Sequence, residues 1–475
     1  MTDPIQLVIH GKLVSTSDIR VIRSPWTREP VAECCWAGEQ EIAAALDSGA
    51  EAAKIMRDLR SYQRAEILHK ASSLIGDRKE EFARVISEEG GKPIREARSE
   101  VVRAESTFRL AAEAVRNWNG EVLPLDVTPA AGDRIALVRR FPVGLVVAIS
   151  PFNFPLNLVA HKVAPAIAAG CSVIVKPASS TPLTALMLGR LLLDAGLPPG
   201  GCNVIPTDLK LAGPLLDDPR VKLVTFTGSG EVGWEIKKRA NRKKVCLELG
   251  GNAAAIVEPS CDLDFAARRI VMGGYAHAGQ ICISVQHILL HEDIYQPFIE
   301  RFVPLVSNLS MGDPLKETTE ITAMIDDKEA VRIEVWIAEA VRRGGNLLTG
   351  GERTDNRVTP AVLEYVPDDC CISHDEAFGP VTVVRRYSRF EEALEWVNAQ
   401  QYGLQTGIFT ADVSQAMLSF NRLEVGGIIL NDVPTVRVDN YPYGGVKNSG
   451  FGREGVKYAM EEMSELRTLV LPSPR

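Results

Sequence analysis

Cysteine pairing is what this sequence most plainly lacks. Its nine cysteines, at 34, 35, 171, 202, 246, 261, 282, 370 and 371, are odd in number and contain no C-x-x-C spacing. That argues against a disulfide framework and against a zinc site, and no metal is expected. A reducing compartment, the cytoplasm, is the simplest home for such a chain. Also missing is any apolar run long enough to cross a bilayer. The opening MTDPIQLVIHGKLV has no charged head followed by an apolar stretch and a small-residue cleavage site. No block of one charge appears: 53 basic against 61 acidic residues leave a net −8 spread along the chain. Nucleic acid and membrane surfaces are therefore not expected as partners, while a local basic pocket for a small anion remains open. There is no tandem repeat and no low-complexity segment.

What is present is an ordinary globular composition, 45% hydrophobic and 24% charged over 475 residues, enough for two or three domains. Residues 5–36 alternate short apolar runs with polar turns and predict hairpin strands. From 40 to 119 the apolar spacing of three to four predicts helices. Residues 120–141 read as an extended excursion. From Pro142 onward β-rich runs alternate with helices: LVVAIS, CSVIVK, CNVIP, KLVTFTG and VCLEL are strands. That alternation predicts parallel βαβ units in a doubly wound sheet, with ligands at the carboxyl ends of the strands. HILL, VTVVRRY, GIFT and GGIILND with their intervening helices predict a second α/β domain. The tail from Lys457 is a helix and then a strand, the natural partner of the 120–141 arm.

The chemistry centres on residues 248–282. Glu248 precedes Gly250-Gly251, and Cys282 ends Gly279-Gln280-Ile281-Cys282. A thiolate is a strong nucleophile, and a carboxylate can activate water against a thioester. Each alone is commonly a buried small residue or a loop acid. Phe226-Thr227-Gly228-Ser229-Gly230-Glu231-Val232-Gly233 follows a strand and opens a helix, where backbone N–H groups can hold phosphate. A ligand-free β–α turn is the alternative. Lys176 ends a strand before Pro177 and can reach a ribose or phosphate, or be a solvated lysine. Asn153, in Ser150-Pro151-Phe152-Asn153-Phe154-Pro155, can donate to an oxyanion or cap the next helix.

Together these segments resemble the aldehyde dehydrogenase superfamily of NAD(P)-dependent enzymes over nearly the whole chain. The matching motifs are PFNFP (151–155), KPASSTP (176–182), FTGSGEVG (226–233), ELGG (248–251), GQIC (279–282), EAFGP (376–380) and PYGGVKNSGFGREG (442–455). The resemblance implies an α/β fold with a doubly wound Rossmann-like cofactor domain (1–119 and 142–250), an α/β catalytic domain (251–441) and a small β oligomerisation arm (120–141 and 456–475), assembled as a homodimer or homotetramer. It implies Cys282 as nucleophile, Asn153 and the Cys282 N–H as oxyanion donors, and Glu248 as the base releasing a free acid. It implies NAD or NADP held by Ser150, Pro151, Phe152, Lys176, Ser179, Gly228, Ser229, Gly233, Leu249, Glu376 and Phe378. Glu248 also speaks against transfer of the acyl group to coenzyme A.

Two positions depart from the usual pattern. Ser179 stands where NAD-specific relatives often carry Glu, which makes NADP plausible beside NAD. Thr207-Asp208 stand where many relatives have glycine. The wording around NLVAHKVAPA and GQICIS is similar to a subgroup acting on small polar aldehydes, in which an Arg and a His hold an anionic group. Arg103 and His161 are the matching candidates, with phosphonoacetaldehyde or a similar anionic aldehyde as substrate; Arg103 could instead pair with Glu100. Lactaldehyde, glycolaldehyde and succinic semialdehyde are the alternatives. Other classes are a catalytically silent binding protein and a thiol hydrolase pairing Cys282 with His277 or His287.

Overall fold

The computed structural model describes residues 3–472. The runs LVVAI and SVIVK form strands because LVVAI is apolar throughout, SVIVK is apolar between its ends, and both are covered on both faces. Alternate residues feed two cores: Val146, Ala148, Val173 and Val175 face one, and Leu145, Val147, Ile149 and Ile174 the other. They belong to an eight-stranded sheet ordered Lys12–Val14, Leu7–Ile9, Cys202–Val204, Ser172–Lys176, Leu145–Ile149, Val221–Thr227, Lys244–Glu248, Gly450–Phe451. The five central strands are parallel. The order reverses between Leu145–Ile149 and Val221–Thr227, so a crevice opens at their carboxyl ends.

A second sheet runs Asn346–Thr349, Ala361–Glu364, Val381–Tyr387, His287–His291, Ala254–Val257, Gln405–Phe409, Gly427–Leu430. It is parallel except for its first strand. The chain changes sheets between Glu248 and Ala254, at the expected 250/251 boundary. It then comes back, and Gly450–Phe451 pairs antiparallel with Lys244–Glu248. That return carries residues 442–455 across the mouth of the crevice.

The arm forms as expected. Ser464–Leu471 pairs with Ile135–Pro142 over eight residues, and Glu121–Pro124 lies on the other side. Three details differ from the sequence reading. The hairpin Leu7–Ile9 with Lys12–Val14 joins the first sheet through Val8 and Val204; Leu7, Val8 and Ile9 are buried there, while Leu13 stays exposed. The helix Val456–Glu462 is not part of the arm. Its Val456 and Met460, one turn apart, drop into the first domain's core with Met463. The antiparallel pair Asn346–Thr349 with Ala361–Glu364 has no alternating pattern that the sequence reveals. Residues 1, 2 and 473–475 of the expected domain ranges lie outside the described residues. No described helix is long and apolar enough to cross a membrane.

Candidate active site

The nucleophile sits on a turn that only a glycine allows. After the helix Leu263–Tyr275, three successive residues take left-handed backbone: His277 (φ 48°), Ala278 (φ 54°) and Gly279 (φ 69°). A Cβ on Gly279 would run into the carbonyl oxygen of Gly379. Gln280 pins the turn, donating to His277 O (3.1 Å) and accepting from Ile325 N (2.9 Å). Asn153 Nδ2 donates to Gln280 O at 2.8 Å. This fixes the Asn153 amide beside the loop and leaves its second hydrogen for an oxyanion. Cys282 then packs with Phe154 and Tyr441 against Ile281, Ile283, Leu404 and Tyr443. Burial pushes its thiol up to about 12, while the Tyr443 hydroxyl, 3.5 Å from Sγ, works the other way.

Glu248 ends the strand Lys244–Glu248, directly opposite Thr227. It is buried, and neither carboxylate oxygen has a hydrogen-bond partner among the described residues. Burial first, then the nearby Glu454, raise its pKa well above the carboxylate range; Arg437, Lys162 and Arg453 oppose them. Glu454 shows the reverse. Despite its burial, Lys162, His161 and Arg437 hold it well below that range. Two neighbouring carboxyls pushed apart in this way are an acid–base pair with divided roles: Glu454 stays charged and Glu248 can take up a proton.

The groups between them form one buried network. Lys162 Nζ donates to Glu454 Oε1 (2.8 Å) and Thr227 Oγ1 (2.7 Å). Arg437 Nη2 reaches Glu454 Oε2 (2.9 Å) and His161 Nδ1 (2.6 Å). His161 Nε2 lies 2.8 Å from Asp439 Oδ1, and Arg103 Nη2 donates to the same oxygen at 2.8 Å. A guanidinium can only donate. In this arrangement His161 Nδ1 therefore accepts from Arg437.

His161 is buried, with Nδ1 taken by Arg437 and Nε2 lying 2.8 Å from Asp439 Oδ1. Arg103 does not pair with Glu100, which instead binds Lys92 and caps the backbone of Leu156 and Asn157. Arg103 keeps 29% of its side chain exposed. The residue that the sequence reading missed is Arg437. Its guanidinium lies 3.6 Å from the centre of the Tyr443 ring, on the side chain that touches Cys282. Tyr443 and Glu454 face each other in a single antiparallel bridge. One return loop therefore supplies both. The signal was there in Arg437-Val438-Asp439, charged residues leading into the aromatic Tyr441-Pro442-Tyr443, but nothing local said that they fold inward.

Of the expected cofactor residues, Ser150, Lys176 and Ser229 follow or end strands of the first sheet, while Glu376 and Phe378 precede the strand Val381–Tyr387 of the second. Lys176 is buried, and its Nζ bonds only the carbonyl of Pro177 (3.4 Å) among the described residues; burial lowers its pKa to about 8. Ser150 Oγ is buried without a partner. Ser229 caps the helix Gly230–Arg239 through Val232 N, and Gly228 N donates to Glu248 O (3.0 Å). Gly233 lets that helix close onto the buried Leu249 side chain, so Leu249 serves packing here. Phe152, following Pro151, meets Phe378 edge-on at 5.9 Å. Glu376 accepts from Gly251 N (3.0 Å), and burial pushes it up to about 7. Ser179 is exposed. A buried cation without an ionised hydrogen-bond partner, an unpartnered hydroxyl and a capped helix N-terminus at a topological switch fit a dinucleotide. Neither His277 nor His287 bonds Cys282: His277 is buried with both ring nitrogens unpartnered, and His287 packs against Trp396. A Cys–His dyad is not formed.

Known proteins share this fold. The model of the aldehyde dehydrogenase family matches residues 14–469. A 3-sulfolactaldehyde dehydrogenase of Priestia aryabhattai is 42% identical over 466 residues, 98% of this chain and 97% of its own. The structure of aldehyde dehydrogenase 21 from Physcomitrella patens, in complex with its reaction product succinate, superposes with a TM-score of 0.97 at 44% identity, covering 99% of each chain. That of a glyceraldehyde-3-phosphate dehydrogenase from Methanocaldococcus jannaschii, complexed with NADP, gives 0.92 at 38% identity, covering 96% of this chain and all of the other. The motifs that carry the resemblance are therefore those of a shared fold, and the chain belongs to the aldehyde dehydrogenase family of NAD(P)-dependent oxidoreductases.

Proposed function

We propose that this enzyme oxidises a small anionic aldehyde to its carboxylate through a Cys282 thioester, with water as the final acceptor. The observation that carries the reading is the meeting of Cys282, Asn153 and Glu248 with a buried Arg437 one ring away. Cys282 Sγ attacks the aldehyde carbon, and the Asn153 amide with the Cys282 N–H holds the oxyanion that forms. NAD or NADP, when bound along Lys176, Ser150 and Glu376, supplies the acceptor for the hydride. Cys282 then carries the acyl group as a thioester. Glu248 takes a proton from water as it adds, the acid departs, and the thiol is restored.

The anion preference rests on charge. Of Arg103, Arg437 and Lys162 it is Arg437 that acts on the Cys282 thiol, against Glu376 and Glu248, while Arg103 keeps part of its side chain exposed. The relatives named above act on or release small polar acids and aldehydes. Sulfonated, phosphonated and carboxylated aldehydes, phosphonoacetaldehyde and succinic semialdehyde among them, all present such an anion; lactaldehyde and glycolaldehyde do not. The arm's open strands, with exposed Val122, Leu466 and Val470, support assembly as a homodimer or homotetramer. The test is NADH and NADPH production across these aldehydes and a neutral alkyl aldehyde. A kcat/KM preference for the anions of about a hundredfold, about 2.7 kcal/mol, is expected. Equal rates for neutral aldehydes would remove the anion pocket and leave the thioester chemistry.

A further inference from the structure

Lys176 and Asp208 lie at and just beyond the carboxyl ends of two neighbouring strands. Lys176 ends Ser172–Lys176. Asp208 follows Cys202–Val204, the next strand in the sheet, after Ile205, whose N–H bonds Val175 O at 3.0 Å. Asp208 stands within Coulomb reach of the Lys176 ammonium, and each appears among the influences on the other. Asp208 is also clamped from outside. Arg20, on the hairpin strand Ile19–Arg23, donates Nη1 to Oδ1 (2.6 Å) and Nη2 to Oδ2 (2.9 Å). Trp36 Nε1 adds a bond to Oδ1 at 3.3 Å, and the Arg20 guanidinium lies 4.4 Å from the Trp36 ring centre. Arg20 divides itself, because its Nη2 also holds Asp18 at 3.0 Å. Two carboxylates thus share one guanidinium, leaving one negative charge beside Lys176.

We propose that Asp208, partly neutralised by Arg20, is the residue that selects the cofactor's adenosine ribose, favouring the 2′-hydroxyl of NAD over the 2′-phosphate of NADP. The proposal rests on the cofactor reading above. Ser179 bears no charge and neither repels a phosphate nor accepts from a hydroxyl strongly. A carboxylate at 208 does both: it accepts from a ribose hydroxyl and raises the energy of a phosphate near Lys176. Arg20 sets how much of that charge is felt. The selection expected from Ser179 alone, toward NADP, is therefore reversed by a neighbour on another strand.

The backbone around Asp208 does not depend on the pair. Ala37 N donates to Pro206 O (2.8 Å), and Thr207 Oγ1 donates to Ala37 O (2.8 Å). Asp208→Asn and Arg20→Met can therefore change charge while the loop stays tied. The test is direct binding of NADH and NADPH by fluorescence titration, without aldehyde, at low and high salt. In Asp208→Asn the ratio Kd(NADPH)/Kd(NADH) should fall about tenfold at low salt, the size expected of one partly solvated charge. In Arg20→Met, which frees the full charge of Asp208, the ratio should rise. Both changes should shrink in high salt. A ratio that moves less than twofold in both variants, or two cofactors weakened equally, would mean that the pair only anchors the loop, and the proposal falls while the cofactor reading stands. If the native protein binds neither nucleotide, the cofactor reading fails and takes the proposal with it.

Discussion

At the scale of single residues, the site is a set of groups held away from their ordinary protonation. Cys282 is pushed up by burial, and Glu248 by burial and by Glu454. Both must lose a proton to act, so both steps gain as pH rises through the raised values. Alkylation of Cys282 by iodoacetamide should accelerate toward alkaline pH. Tyr443→Phe removes a bond that favours the thiolate, worth about 1–1.5 kcal/mol, and should shift that profile up by about one pH unit. An unmoved profile would return Tyr443 to simple packing. Glu248→Gln should leave acylation intact and block deacylation: a burst of reduced cofactor equal to the enzyme present, then a steady rate lower by about 10²-fold or more. Cys282→Ala should give neither. Arg437→Met should raise KM for anionic aldehydes at least about tenfold and barely alter that for neutral ones; a uniform loss across both would mean that Arg437 matters through Glu248 instead.

At the scale of elements, position comes from where each one stops. The strand Lys244–Glu248 ends on Glu248, the proposed base, Ser172–Lys176 on Lys176, proposed to hold the ribose, and the helix Leu263–Tyr275 on the turn before Cys282, the proposed nucleophile. Gly279→Ala tests that turn. A left-handed backbone costs a non-glycine residue about 1–2 kcal/mol, and the Gly379 carbonyl blocks the new methyl. The loop must move, and kcat should fall about a hundredfold, as a displacement of an ångström at the reacting atoms does, with the melting temperature changing only modestly. The strands buried on both faces were legible in the sequence because LVVAI and the VIV of SVIVK are unbroken apolar β-branched-rich runs. The helix Val456–Glu462 was assigned to the arm because sequence position placed it there; its apolar spacing sends it into the first core.

At the scale of the whole molecule, two sheets meet along the chain's single outward and return crossings, and the arm stands on one side with open strand edges. Exposed Leu466 and Val470 lie on one face of Ser464–Leu471. Replacing both by Glu should abolish the proposed assembly and give monomers by light scattering, while leaving the helical circular dichroism in place. An unchanged mass would put the interface elsewhere.

The sequence by itself determined the α/β class and the family, set the strand partner of the 120–141 segment, and offered Cys282, Glu248 and Asn153 as the proposed chemical positions. Each of these is written locally, in runs buried on both faces, in turn glycines and in short motifs whose residues are neighbours in the chain. Only the tertiary structure decided what those residues face. Arg103 and His161 are 58 positions apart, and both meet Asp439, far down the chain. Arg437 reaches Cys282 through the ring of Tyr443, and Arg20 meets Asp208 from another strand. Charges pair through space, and a buried charge takes whatever partner the packing brings within about 4 Å; spacing along the chain carries no record of that choice.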